Sequence, residues 1–167
     1  MTEISKIKIF KSLKVYLPMI ILIISVLNEI DLNYSKIENF SFNFAYIFIF
    51  YWTLKKPELL PFGFIFICGM FNDVVVNLPI GLSSLGYLVI CVVTSYLRNI
   101  TLRPNFINDW LFFLITIMLV NSINFLVLEI IMSTEFDLIN YLLNLGLTFL
   151  FYPLFFIILN NLIKYFY

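Results

Sequence analysis

Near-continuous apolar runs of helix length constrain this chain more than any other feature. Residues 19–26 read MIILIISV and residues 110–120 read WLFFLITIMLV. A strand paired in a barrel wall would alternate polar and apolar positions, and these runs do not. Across 167 residues the chain is 62% hydrophobic and only 12% charged, against roughly 45–50% and about 25% in soluble domains. A core of this size cannot hide that much apolar surface from water, so lipid has to cover it. The expected class is an all-α polytopic membrane protein forming one integral membrane domain over residues 1–167, with a short basic cytoplasmic segment at 1–14.

About six transmembrane helices fit, near 15–28, 40–54, 59–76, 83–97, 110–132 and 138–163, some shorter than the usual span of about 20 residues. Lys6, Lys8, Lys11, Lys14, Lys55, Lys56, Arg98, Arg103 and Lys164 then all fall on one side, and only Lys36 on the other. Glu29, Asp31, Glu38, Glu135 and Asp137 fall opposite them. The positive-inside rule makes the basic side cytoplasmic, so both termini are expected there. No small-residue cleavage site follows the first span, which is read as a retained helix.

Composition also excludes chemistry. The chain has no histidine, which removes serine–histidine dyads, histidine metal sites and histidine proton relays. Cys68 and Cys91 fall in mid-span and read as small apolar packing residues. There is no phosphate-binding loop, no H-E-x-x-H and no nucleophile elbow. The formal net charge of zero offers no surface for nucleic acid. The expectation is no enzyme activity, no cofactor and no metal site.

Within residues 59–76, LLPFGFIFICGMFNDVVV, Asp73 is the only ionisable group. A carboxylate at the centre of a membrane helix costs roughly 2.5–3.5 kcal/mol on insertion scales, so it is kept only where water, a partner or a backbone donor meets it. Gly69 lies one turn earlier on the same face and allows a second helix to approach. Pro79 and Gly81 then enforce a tight turn. Two readings follow: a contact site for a partner or ligand, or a cap on the next helix around Ser83 and Ser84. Glu129, Asn121 and Ser122 on the fifth span, with Asn140, Asn144 and Thr148 on the sixth, either line a polar cavity or hydrogen-bond between helices. The basic pairs read as topology determinants, and Tyr51-Trp52 reads as an interfacial aromatic anchor.

From Tyr51 to Leu97 the chain resembles the MreD family of bacterial rod shape-determining membrane proteins. The resemblance lies in Tyr51-Trp52, Pro57, Gly63, Gly69-x-x-x-Asp73 and Pro79-x-Gly81, in that order and spacing. It implies a non-catalytic part of the cell-wall elongation machinery in the bacterial inner membrane. Its implied partner is an MreC-type bitopic protein. Through that protein the complex reaches an MreB-type filament, a SEDS-type glycosyltransferase and a penicillin-binding transpeptidase. The family is similar in architecture to the substrate-binding S component of energy-coupling-factor transporters, which supplies the alternative. S components couple through an Ala-x-x-x-Ala patch, whereas Ala45 is the only alanine here.

Overall fold

The computed structural model describes residues 16–26, 42–101, 105–132 and 138–166. These residues form six α-helices and one 3-10 turn, with no strand among them. In chain order they are α1 (Tyr16–Val26), α2 (Phe44–Lys55), the 3-10 turn (Pro57–Leu59), α3 (Phe62–Val76), α4 (Leu82–Ile100), α5 (Phe106–Met132) and α6 (Leu138–Phe166). The basic segment 1–14, Lys36, Arg103 and the acids at 29, 31, 38, 135 and 137 lie outside the described residues.

Local breakers set the boundaries. Pro57 stands at the start of the 3-10 turn and Pro61 caps α3 with φ −66°, the angle its ring imposes. Asn77 ends α3 in the left-handed region at φ 58°, a conformation asparagine tolerates better than most residues with a side chain. Pro153 lies inside α6, where it removes one backbone donor.

Among the described residues, two helices are long and apolar enough to cross a membrane: α5 over Phe106–Ile131 and α6 over Tyr141–Tyr165. At about 1.5 Å per residue they are roughly 40 Å long, beyond a hydrocarbon layer of about 30 Å. Their outer faces remain apolar and exposed, with Ile107, Leu111, Ile115, Leu126 and Ile130 on α5. On α6, Ile139, Leu142, Leu150, Leu154 and Ile157 do the same. A stripe of this kind suits lipid contact and not water.

Helix α2 takes a different role. Its 12 residues measure about 18 Å, too short to span alone, and every residue from 45 to 53 is buried. It is the central strut, with α4, α5 and α6 packed around it. A helix that is hydrophobic on all sides is stable when wholly enclosed. Tyr51 and Trp52 are therefore core residues, both fully buried, and the interfacial-anchor reading does not hold. The Tyr51 ring meets Phe156 edge-on at 5.5 Å, and Trp52 packs 5.9 Å from Phe48. Phe50, Phe113 and Tyr152 close the same layer, the last two rings stacked at 4.6 Å.

Cross-contacts fix the helix directions. Asn43 at the start of α2 meets Thr148 of α6, and Tyr51 near its end meets Phe156, so α2 and α6 run parallel. Tyr46 meets Asn124 while Lys55 meets Asp109, so α5 runs antiparallel to α2. The described cations Lys55, Lys56, Arg98 and Lys164 consequently gather at one end of the bundle. Asp73 and Glu129 sit at the other.

An ion pair ties the cationic end. Lys55 Nζ donates to Asp109 Oδ2 at 2.9 Å, with the aspartate side chain only 3% exposed. The lysine also lies 5.7 Å above the Phe156 ring. Both charges complement helix dipoles, Lys55 in the last turn of α2 and Asp109 in the first turn of α5. Removing one partner strands the other. Lys55→Met is expected to destabilise the fold by on the order of 2 kcal/mol, the partly exposed lysine lowering the usual penalty for a buried pair. Adding Asp109→Leu is expected to restore part of the loss. Thermal unfolding in detergent reads both, and a double variant less stable than the single one contradicts this account.

Candidate functional site

Asp73 sits in the last turn of α3 with no exposed surface. At that position its own helix dipole opposes a negative charge. The hairpin answers this by bringing the free N–H groups at the start of α4 over the carboxylate. Oδ2 accepts the Gly81 backbone N–H and Oδ1 accepts the Ser83 backbone N–H, both at 2.7 Å. Gly81 is the residue preceding the first turn of α4, so Asp73 caps that helix from its neighbour. Each bond is charge-assisted and in the short range for that class. The capping reading of Asp73 is thus realised at Ser83, one residue from Ser84.

Glycine makes this geometry reachable. Gly81 adopts φ 102°, a region costly for residues bearing a Cβ. Gly69 touches α4 so closely that an added Cβ would stand 2.5 Å from Ser84 Cα and 2.6 Å from Ser84 N. Both are backbone atoms and cannot swing aside. Ser84 Oγ donates to the Phe66 carbonyl at 2.9 Å, and Asn72 Nδ2 donates to Ser83 Oγ at 3.1 Å. Gly69, Asp73, Pro79 and Gly81 therefore act together. Gly63 and Pro57 stand apart from them, Gly63 having open space where a Cβ would go.

Beside this hairpin lies a cavity of about 290 Å³. It opens among the start of α2, the end of α3, the start of α4, the second half of α5 and the start of α6. Its wall includes Asn43, Asn72, Asn121, Asn124, Asn144, Ser83, Tyr46, Tyr87 and Tyr141, with Val76, Leu78, Leu82, Phe125 and Leu128 between them. Asn121 and Asn144 meet here, as the polar-cavity reading expected. Glu129 does not join them: it is exposed on α5 and does not line the cavity. One helical step separates the faces, since Asn121, Asn124 and Leu128 follow the 3–4 spacing and Glu129 falls beside it. Thr148 serves the start of α2, accepting the Asn43 backbone N–H at 3.1 Å. The Asn140 side chain lies outside the described residues.

Among the described residues the cavity wall carries no carboxylate or basic side chain, and part of it is hydrogen-bonded. Asn124 Nδ2 donates to Tyr46 Oη at 2.9 Å, and Asn43 Nδ2 donates to Asn144 Oδ1 at 3.3 Å. Asn72 Oδ1 and Asn124 Oδ1 are buried acceptors with no donor in reach among the described residues. Asn43, Asn72, Asn124 and the three tyrosines were not singled out from the sequence. Asn124 had a signal in its spacing from Asn121, whereas Asn43 and Tyr46 reach the cavity only through long-range packing. No cluster of metal-ligating side chains occurs among the described residues. In comparisons with known proteins, no family model, no curated protein and no solved structure matches the chain.

The hairpin yields a graded prediction. Gly69→Ala forces two backbones apart and is expected to cost about 2–3 kcal/mol, as overpacking does. Gly86→Ala meets only side-chain atoms of Val120 and Asn124 at 3.2 Å and is expected to be milder. Asp73→Asn keeps one acceptor oxygen for two donors, and Asp73→Leu keeps none, so leucine is expected to be the worse substitution. Thermal unfolding in detergent ranks the four variants. Gly69→Ala as mild as Gly86→Ala contradicts the close-approach argument.

Proposed function

We propose that the chain is a non-catalytic, multi-pass component of the bacterial inner membrane that maintains rod shape. In this reading all six helices lie in the bilayer with both termini cytoplasmic. α1, α2 and α3 are short members accommodated by packing and local bilayer thinning. The chain binds an MreC-type bitopic protein and through it helps organise an MreB-type filament, a SEDS glycosyltransferase and a penicillin-binding transpeptidase. The observation that carries the reading is the coincidence of the family-like motif with one rigid element. Gly69, Asp73, Pro79 and Gly81 carry the resemblance, and they build the hairpin whose charge is satisfied internally.

The separation of charge supports the orientation. The described cations gather at one end of the bundle, and the hairpin lies at the end opposite, which the positive-inside rule assigns to the outer face. A contact surface there suits a partner whose bulk lies outside the membrane. The outward face of α3 offers Phe66, Met70, Phe71 and Val74, all exposed, for a partner helix in the lipid. Such packing proceeds by van der Waals contact and not by exclusion of water. The cavity supports a second reading, the binding component of an energy-coupling-factor-type transporter.

Purification of the tagged chain from its native membranes in mild detergent, with mass spectrometry of what accompanies it, tests the proposal. A bitopic coiled-coil protein together with wall synthases is expected, with reduced yield for Gly69→Leu. Recovery of paired ABC-type ATPases and a coupling subunit in their place contradicts it and favours the transporter reading.

A further inference from the structure

We propose that Trp110 is the latch of a hinge in α6, its indole N–H standing in for the backbone donor that Pro153 lacks. A helical carbonyl accepts from the amide four residues on, so the Phe149 carbonyl looks to residue 153. Proline has no amide hydrogen to give, and its ring crowds that same carbonyl aside. Left alone, the oxygen would sit unpaired in an apolar bundle, which is costly. Trp110 Nε1 donates to it at 3.1 Å. A gap in the ladder of α6 and a side-chain donor from α5 thus coincide at a single atom.

Stacking alone does not account for the tryptophan. Its ring lies against Phe149 at 4.7 Å and 10°, a contact that a phenylalanine ring would also make. What the indole adds is the N–H. An indole near a membrane surface usually keeps that group for the wet interface. Here it is turned inward, onto the backbone of a neighbouring helix.

The latch holds the segment beyond Pro153. Phe156 lies against Tyr51 at 5.5 Å and Phe106 at 4.8 Å, with the Lys55 ammonium 5.7 Å above it. Leu159 is buried, whereas Leu154, Ile157, Ile158 and Tyr165 are exposed. The segment is therefore a strap across the Lys55–Asp109 pair, and the ladder is interrupted where the strap begins. Sharp bends in helices occur at proline, and Trp110 decides whether this one is free to bend. Engaged, it keeps the strap closed over the ion pair; released, it lets the strap swing out. The cationic end thereby has two arrangements, a property that the scaffold reading neither needs nor supplies.

Two spin-label pairs test the latch in the full-length chain in detergent, with Cys68 and Cys91 changed to alanine. Ile107→Cys with Ile158→Cys spans the hinge, and Ile115→Cys with Leu142→Cys lies before it, all four positions being exposed. Pulsed spin–spin distances are expected to be narrow for both pairs in the parent. Trp110→Phe keeps the stacked ring and loses the donor. It is expected to broaden or displace the hinge pair by roughly 4–5 Å, the throw of a bend of about 20° between Phe149 and Ile158. The control pair stays as it was. Adding Pro153→Ala returns an amide to the Phe149 carbonyl and is expected to restore the narrow distances. A hinge pair already broad in the parent, or indifferent to Trp110→Phe, overturns the proposal. So does broadening that Pro153→Ala fails to reverse, or equal broadening of the control pair. Should Trp110→Phe alone fail to fold, recovery on adding Pro153→Ala supports the latch, and failure of both variants overturns it. None of these results alters the expected co-purification with a bitopic partner.

Discussion

The Asp73 carboxylate and the two backbone N–H groups that hold it are the constraint from which the rest of this structure follows. A fully buried charge in an apolar bundle needs strong donors, and the donors nearest in the chain are the free N–H groups at the start of the next helix. Using them requires α4 to begin directly over the end of α3. That in turn requires a tight Pro79–Gly81 turn and a glycine at 69, where the two backbones nearly touch. Once this hairpin is set, α4 presents Tyr87 to Tyr46 and Cys91 to Thr53 of α2, and the enclosure of the central helix follows.

Enclosure of α2 gives the bundle two unlike ends. At one, Lys55 and Asp109 join the end of α2 to the beginning of α5, with Lys56, Arg98 and Lys164 nearby. At the other, the capped hairpin adjoins a cavity whose described lining includes five asparagines and no carboxylate or basic side chain. Between the two ends lie aromatic layers, such as Phe50, Phe113 and Tyr152, that hold the helices in fixed relation.

How much was legible in advance varied with the range of the interaction. Asp73 stood out because one charge in an apolar run has few explanations, and its partners lie 8 and 10 residues away. Gly69 was legible for the same reason, one turn from the charge. The helices themselves were read at nearly their observed limits, although α5 starts at Phe106 and draws Asp109 into its first turn. The burial of α2 was not legible, since an apolar helix among lipid-facing helices has the same composition as one enclosed by protein. Asn124 and Tyr46 pair across 78 residues, and nothing local announces that. Glu129 illustrates the converse: its charge drew notice, but a single helical step turned it away from the cavity.

The claim beneath all of this is that the hairpin end of the bundle faces the outside of the cell and the cationic end faces the cytoplasm. Ile80, at the tip of the turn and 71% exposed, reports on it most directly. A single cysteine at that position, in a background with Cys68 and Cys91 changed to alanine, is treated with a membrane-impermeant maleimide in intact spheroplasts. Labelling before permeabilisation is the predicted result. Labelling only after permeabilisation would contradict the account, reversing the orientation on which both the partner surface and the cavity's access depend.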